Sequence, residues 1–218
     1  MTDPISRRHF VRNAIFLGTA SAAAFATEPL PVADAFDALP KDVWARARTN
    51  GLIMIRRPEP AQKSSRADIV SKDEPGQRLI VAGQVFAPDD GTVAGVTVYA
   101  YNTDEQGYYG ANHTEYPPRL YGWMKTDAQG RFELHTILPG HYPNMHIPAH
   151  VHFTAWGAGY PPQWIEELRF AGDPYLTPDM SAAAGQGEFR SVQPLIHGAD
   201  GVLRCTYKFR LQRETNFR

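Results

Sequence analysis

Cysteine is nearly absent from the 218 residues: Cys205 stands alone. A single thiol closes no internal disulfide, so stability must come from a packed core. Neither sign of charge predominates. Lysine and arginine number 22 against 23 aspartates and glutamates, a formal net charge of −1. There is thus no basic surplus to hold nucleic acid through its phosphates. No apolar run reaches the roughly 20 residues that a membrane-spanning helix needs. Helical periodicity is scarce too, and what replaces it is short apolar runs punctuated by glycine and proline, 18 of each.

An uncharged, small and apolar run covers residues 14–26 and follows Ser6-Arg7-Arg8-His9-Phe10. A basic start, a short apolar segment and the small-x-small end Ala24-Phe25-Ala26 form the pattern of an export signal. Paired arginines place it in the twin-arginine class. Residues 1–26 are therefore read as a signal peptide cut after Ala26, leaving no membrane anchor. Arg7, Arg8 and Arg12 against Asp3 carry a net +2, so the mature chain lies near −3. Twin-arginine export moves folded proteins, which suits one that acquires its cofactor first. The expected location is periplasmic or otherwise exported.

Residues 27–77 are rich in proline and charge and read as an irregular arm or connector, with a short helix over 41–48 after Pro40. The arm offers surface for homo-oligomer contacts. Residues 78–218 read differently. Strands are expected over 79–86, 96–101, 121–125, 132–136, from His150 onward, and over 164–170, 188–193 and 202–211. Turns such as Pro88-Asp89-Asp90-Gly91 and Asp127-Ala128-Gln129-Gly130 separate them. The fold class is all-β, a β-sandwich core with long loops around 110–120 and 172–187. Trp123, Trp156 and Trp164 are expected to fill its core. Cys205, flanked by Leu203, Tyr207 and Phe209, is expected to be buried and inert.

The chemistry gathers in residues 139–155, PGHYPNMHIPAHVHFTA. On a strand, residues i and i+2 share a face, so His150 and His152 project side by side with Val151 turned away. Two imidazoles on one rigid face supply two ligands to a transition metal. The Pro139-Gly140 turn can return Tyr142 over the same spot. Zinc is the generic reading of a histidine pair, but a zinc hydrolase lacks a carboxylate base at close spacing here. A phenolate, with an ordinary pKa of about 10, asks for a stronger Lewis acid such as ferric iron.

Several spaced motifs then occur in a fixed order. They are Gly107-Tyr108-Tyr109, the run 126–132 (TDAQGRF), the run 136–143 (TILPGHYP), the run 148–153 (PAHVHF) and the run 170–174 (FAGDP). Across residues 79–211 this order resembles the intradiol ring-cleavage dioxygenases, the protocatechuate 3,4-dioxygenases and catechol 1,2-dioxygenases. The resemblance implies a β-sandwich and a mononuclear non-haem Fe(III) held by Tyr142, His150, His152 and the tyrosine ending the Gly-x-Tyr motif. Motif position makes that Tyr109, with Tyr108 beside it as the alternative. It also implies an O2-dependent cleavage of a catechol-type ring to a muconate-type product, with Tyr109 and Tyr142 taking part in catalysis. A non-catalytic metal-binding or interaction module on the same sandwich is the other reading.

The chain departs from the family at two positions. Ile147 stands where well-studied members carry an arginine that helps stabilise the activated substrate, and Glu167 stands where a glutamine is frequent. Arg119, Tyr121 and Glu167 are the candidate substrate contacts, and Arg169 is a further source of replacement contacts.

Overall fold

The computed structural model describes residue 55, residues 59–114 and residues 117–216. The signal peptide and the helix over 41–48 lie outside the described residues. Among the described residues, ten strands follow one another as β1 (Arg66–Asp68), β2 (Arg78–Phe86), β3 (Thr97–Asn102), β4 (Leu120–Lys125), β5 (Arg131–Ile137), β6 (His150–Gly157), β7 (Tyr160–Phe170), β8 (Val192–Gln193), β9 (Ile196–His197) and β10 (Leu203–Arg210). They form two five-stranded sheets, ordered β1-β5-β2-β10-β9 and β4-β3-β6-β7-β8. Both sheets are mixed, with β1 parallel to β5, β10 to β2 and β8 to β7.

Alternation explains how the sheets face each other. Leu79, Val81 and Val85 of β2, with Leu203, Cys205, Tyr207 and Phe209 of β10, point inward from the first sheet. Val98, Ala100, Met124, Val151, Phe153 and Ala155 meet them from the second. Phe153 joins the layers, its ring 5.9 Å from Phe132 and 5.2 Å from Tyr207. The β-sandwich expected from the strand pattern is therefore the fold observed.

Four details differ from the sequence reading. The tryptophans do not fill the inter-sheet core. Trp123 and Trp164 are cross-strand partners of Tyr99 and Thr154, and Trp156 of Thr97, on the outer face of the second sheet. There Tyr99 packs 4.5 Å from Trp123, and Trp156 meets Trp123 edge-on at 5.7 Å. The strand expected over 188–193 shrinks to β8, preceded by a 3-10 turn at Gly187–Phe189. The loop after β7 holds a short helix, α1 (Pro178–Ala183), whose N-cap Thr177 accepts from the Met180 amide at 3.2 Å. The segment read as an arm contributes β1 to the edge of the first sheet.

Burial pushes the Cys205 thiol from 9.0 up to about 12. Native protein is expected to be unreactive to thiol reagents at mildly alkaline pH and to titrate one thiol only on unfolding. Because the unfolded thiol ionises first, its stabilising contribution is complete below about 9 and is lost as pH climbs towards about 12. Rapid labelling of the folded protein would show the thiol to be accessible.

Candidate metal centre

The histidine strand is built as the sequence suggested. Val151 and Phe153 enter the core, so His150 and His152 share the outer face of the second sheet, both buried. Their Nε2 atoms are 3.0 Å apart. The Nδ1 atom of His150 donates to the Pro148 carbonyl at 2.7 Å, which fixes the tautomer and leaves its Nε2 lone pair facing the cluster.

Both tyrosines arrive on loops clamped together by glycines. Gly107 adopts φ +90°, and a Cβ there would lie 1.8 Å from the His141 carbonyl oxygen. A Cβ on Gly140 would lie 2.3 Å from the Glu105 carbonyl oxygen. The Gly140 amide donates to the Asp104 carbonyl at 2.8 Å, and the Thr103 hydroxyl donates to the Gly140 carbonyl at 2.8 Å. Each glycine precedes a cluster tyrosine by two residues, so backbone contact between the loops brings Tyr109 and Tyr142 together.

The result is one knot of four polar atoms. The Tyr109 and Tyr142 hydroxyls hydrogen-bond each other. Tyr109 Oη lies 2.7 Å from His152 Nε2, and Tyr142 Oη lies 3.0 Å from His150 Nε2. Tyr108 instead stacks on His113 at 4.5 Å, so Tyr109 is the member of the pair that enters the cluster. Adjacent ligands bound at about 2.0–2.1 Å to one metal lie about 3 Å apart, so the spacing of these donors suits a shared metal ion.

Their electrostatics point the same way. Burial raises the Tyr109 phenol well above its ordinary range, helped by Tyr142 and Tyr101, and burial likewise raises Tyr142. Burial, then His150 and Arg169, hold His152 well below the usual imidazole range. Neutral phenols therefore meet the neutral His152 imidazole here, and a bound cation is the natural means of ionising the phenols.

Two neighbours, Tyr101 and Asp173, were not legible as site residues, and a third, Glu167, was expected only as a substrate contact. Tyr101, fully buried, stacks on His152 with ring centroids 4.6 Å apart. Asp173, from the last motif, accepts from the Ala149 amide at 2.9 Å and from His141 Nε2 at 2.9 Å. It thus ties the start of β6 to the turn before Tyr142. Glu167 supplies the carboxylate that sequence spacing did not show. His150, His152 and Glu167 lie close enough for one ligand atom of each to fall within 4.8 Å of the others. Its nearer contact is with the far side of the His152 ring, 3.6 Å from Nδ1.

The other expected contacts fall further out. Tyr121 is the cross-strand partner of Tyr101 on the site face. Arg119 is engaged with Glu74, at 2.7 Å, and Asp104, at 3.1 Å. Ile147 is buried.

A donor set of two tyrosines and two histidines on the outer face of a β-sandwich matches a known class of oxygenase. The family model described as Dioxygenase matches residues 53–213. The chain belongs to this family, the intradiol ring-cleavage dioxygenases. It is 27% identical over 131 residues to catechol 1,2-dioxygenase 2 of Acinetobacter lwoffii, covering 52% of this chain and 47% of that one. Against the protocatechuate 3,4-dioxygenase beta chain of Burkholderia cepacia it is 30% identical over 122 residues, covering 50% and 52%. The chain thus spans about half the length of these relatives. Among solved structures, the dioxygenase domain of a dioxygenase–carbohydrate-binding fusion from Streptomyces sp. SirexAA-E aligns over 72% of this chain and 93% of its own. Its TM-score is 0.55 at 27% identity. The fold is also that of 3-chlorocatechol 1,2-dioxygenase from Rhodococcus opacus 1CP, with TM-score 0.56 at 24% identity over 72% and 70% of the two chains.

Replacing Gly140 by alanine is expected to force the two tyrosine loops apart and cost about 1–3 kcal/mol through overpacking. The measurement is the thermal midpoint of the variant. Unchanged stability would show that the loops tolerate a side chain between them.

Proposed function

We propose that the protein holds one ferric ion on Tyr109, Tyr142, His150 and His152 and cleaves a catechol-type ring with O2 to a muconate-type product. The observation that supports this most strongly is the buried meeting of two tyrosine hydroxyls with two histidine Nε2 atoms, His150 Nε2 and His152 Nε2 being 3.0 Å apart. Ferric iron bound there would supply Lewis acidity toward a chelating diol and activate it for reaction with O2.

The chain's own residues prepare that chemistry. Pro148 orients His150 through its Nδ1, and the sheet holds both imidazoles on one face. The stacked Tyr101 ring restricts His152 to one orientation. Tyr109 Oη, between Tyr142 Oη and His152 Nε2, is the atom placed to accept a proton from an arriving diol hydroxyl. Tyr121 is the expected substrate contact that shares the site face. Arg119 contributes by anchoring the loop, since its guanidinium pairs with Glu74 and Asp104. Export is part of the same proposal, supported by Arg7-Arg8 ahead of the uncharged residues 14–26.

A second reading, a metal-binding module without turnover, draws on Ile147, a buried apolar side chain where well-studied family members carry arginine. Oxygen uptake separates the two. Iron-loaded protein given catechol is expected to consume O2 and release a muconate. Binding of catechol without O2 consumption would favour the second reading, and failure to retain iron would overturn both.

A further inference from the structure

The two histidines are supported differently on their far sides. His150 Nδ1 meets a neutral carbonyl, that of Pro148 at 2.7 Å. His152 Nδ1 is buried, makes no hydrogen bond and has the Glu167 carboxylate 3.6 Å away. That carboxylate is itself buried and paired with the Arg169 guanidinium.

A break in strand register makes this placement. Between β6 and β7 the pairing runs Val151 to Leu168 and then Phe153 to Ile165, so Glu166 and Glu167 together stand opposite His152. Two residues facing one is a β-bulge, a device that re-aims a side chain beside a site. Leu168 and Ile165 both remain in the core, and the extra residue lets Glu167 face His152 while Arg169 stays opposite His150. Glu166 reaches Arg169 from its other side at 3.3 Å and is half-exposed.

We infer that Glu167, held in place by Arg169, is a positioning residue for the metal centre, the charged acceptor for His152 Nδ1–H. This rests on the proposed iron site. A carboxylate behind an imidazole orients the ring and raises its basicity as a ligand. His152 would then be the stronger donor of the pair. Because Glu167 addresses Nδ1 while the cluster uses Nε2, it acts through His152 and is not itself a ligand.

The test is Glu167→Gln, compared with wild type and Glu166→Gln after loading with ferric iron. Two readouts are followed: the visible tyrosinate-to-iron charge-transfer band and iron retention against a chelator. The expected result is a folded variant that keeps its colour, with the band moved to longer wavelength because the metal is less electron-rich. Iron affinity is expected to fall about 10–100-fold, and Glu166→Gln is expected to match wild type. Since Glu167→Gln leaves Arg169 beside a neutral partner, the pair Glu167→Gln/Arg169→Gln guards against misfolding and is expected to show the same band shift. An unchanged band and affinity would reduce Glu167 to a structural ion pair. Loss of all iron from a folded variant would make it a ligand, which also overturns the inference. A wild type without the band would instead sink the iron site itself.

Discussion

Two phenols and two imidazoles are held within hydrogen-bonding distance of one another, mostly out of water, and this constraint organises the second sheet. Burial of polar groups is unfavourable unless each finds a partner. Here they partner one another, with Pro148 and the stacked Tyr101 ring completing the support. The sandwich core fixes β6, β6 fixes the imidazoles, and two loops joined at Gly107 and Gly140 bring the phenols to them. Asp173 connects the loop and the strand, so a motif at the end of β7 helps set the position of a tyrosine more than thirty residues earlier.

Much of this was legible because it depends on local rules. Period-2 alternation placed His150 and His152 on one face. The turn residues of Asp127-Ala128-Gln129-Gly130 separated β4 from β5, with the Asp127 carboxylate accepting from the Gln129 and Arg131 amides. The spaced motifs gave the family and marked Tyr109 ahead of Tyr108. What escaped was set by long-range pairing. The tryptophans were assigned to the core because they are large and apolar, yet strand register turns them to the other face, where Trp123 packs on Tyr99, Trp156 on Trp123 and Trp164 on His152. The helix after Thr177-Pro178 had a local signal in its cap but is only six residues long, too short to show a period.

Glu167 illustrates the limit most clearly. Its separation from His152 in sequence reveals nothing, because a bulge decides which of two adjacent glutamates faces the histidine. The same bulge gives a site with two histidines of unequal character: one backed by a peptide carbonyl, the other facing a carboxylate that a guanidinium holds. The positions where this chain departs from its family, Ile147 and Glu167, therefore have different consequences. Ile147 puts a buried apolar side chain ahead of the histidine strand. Glu167 places a carboxylate behind His152.

The central claim is that the four-atom cluster is a ferric site with two tyrosinates. Resonance Raman spectroscopy of the iron-loaded protein, excited in the visible band, reads this most directly. The account predicts enhanced tyrosinate ring vibrations from two distinct residues, reduced to one set by Tyr109→Phe and to the other by Tyr142→Phe. Absence of tyrosinate enhancement in protein that retains iron would contradict it, because the metal would then be bound without the phenols.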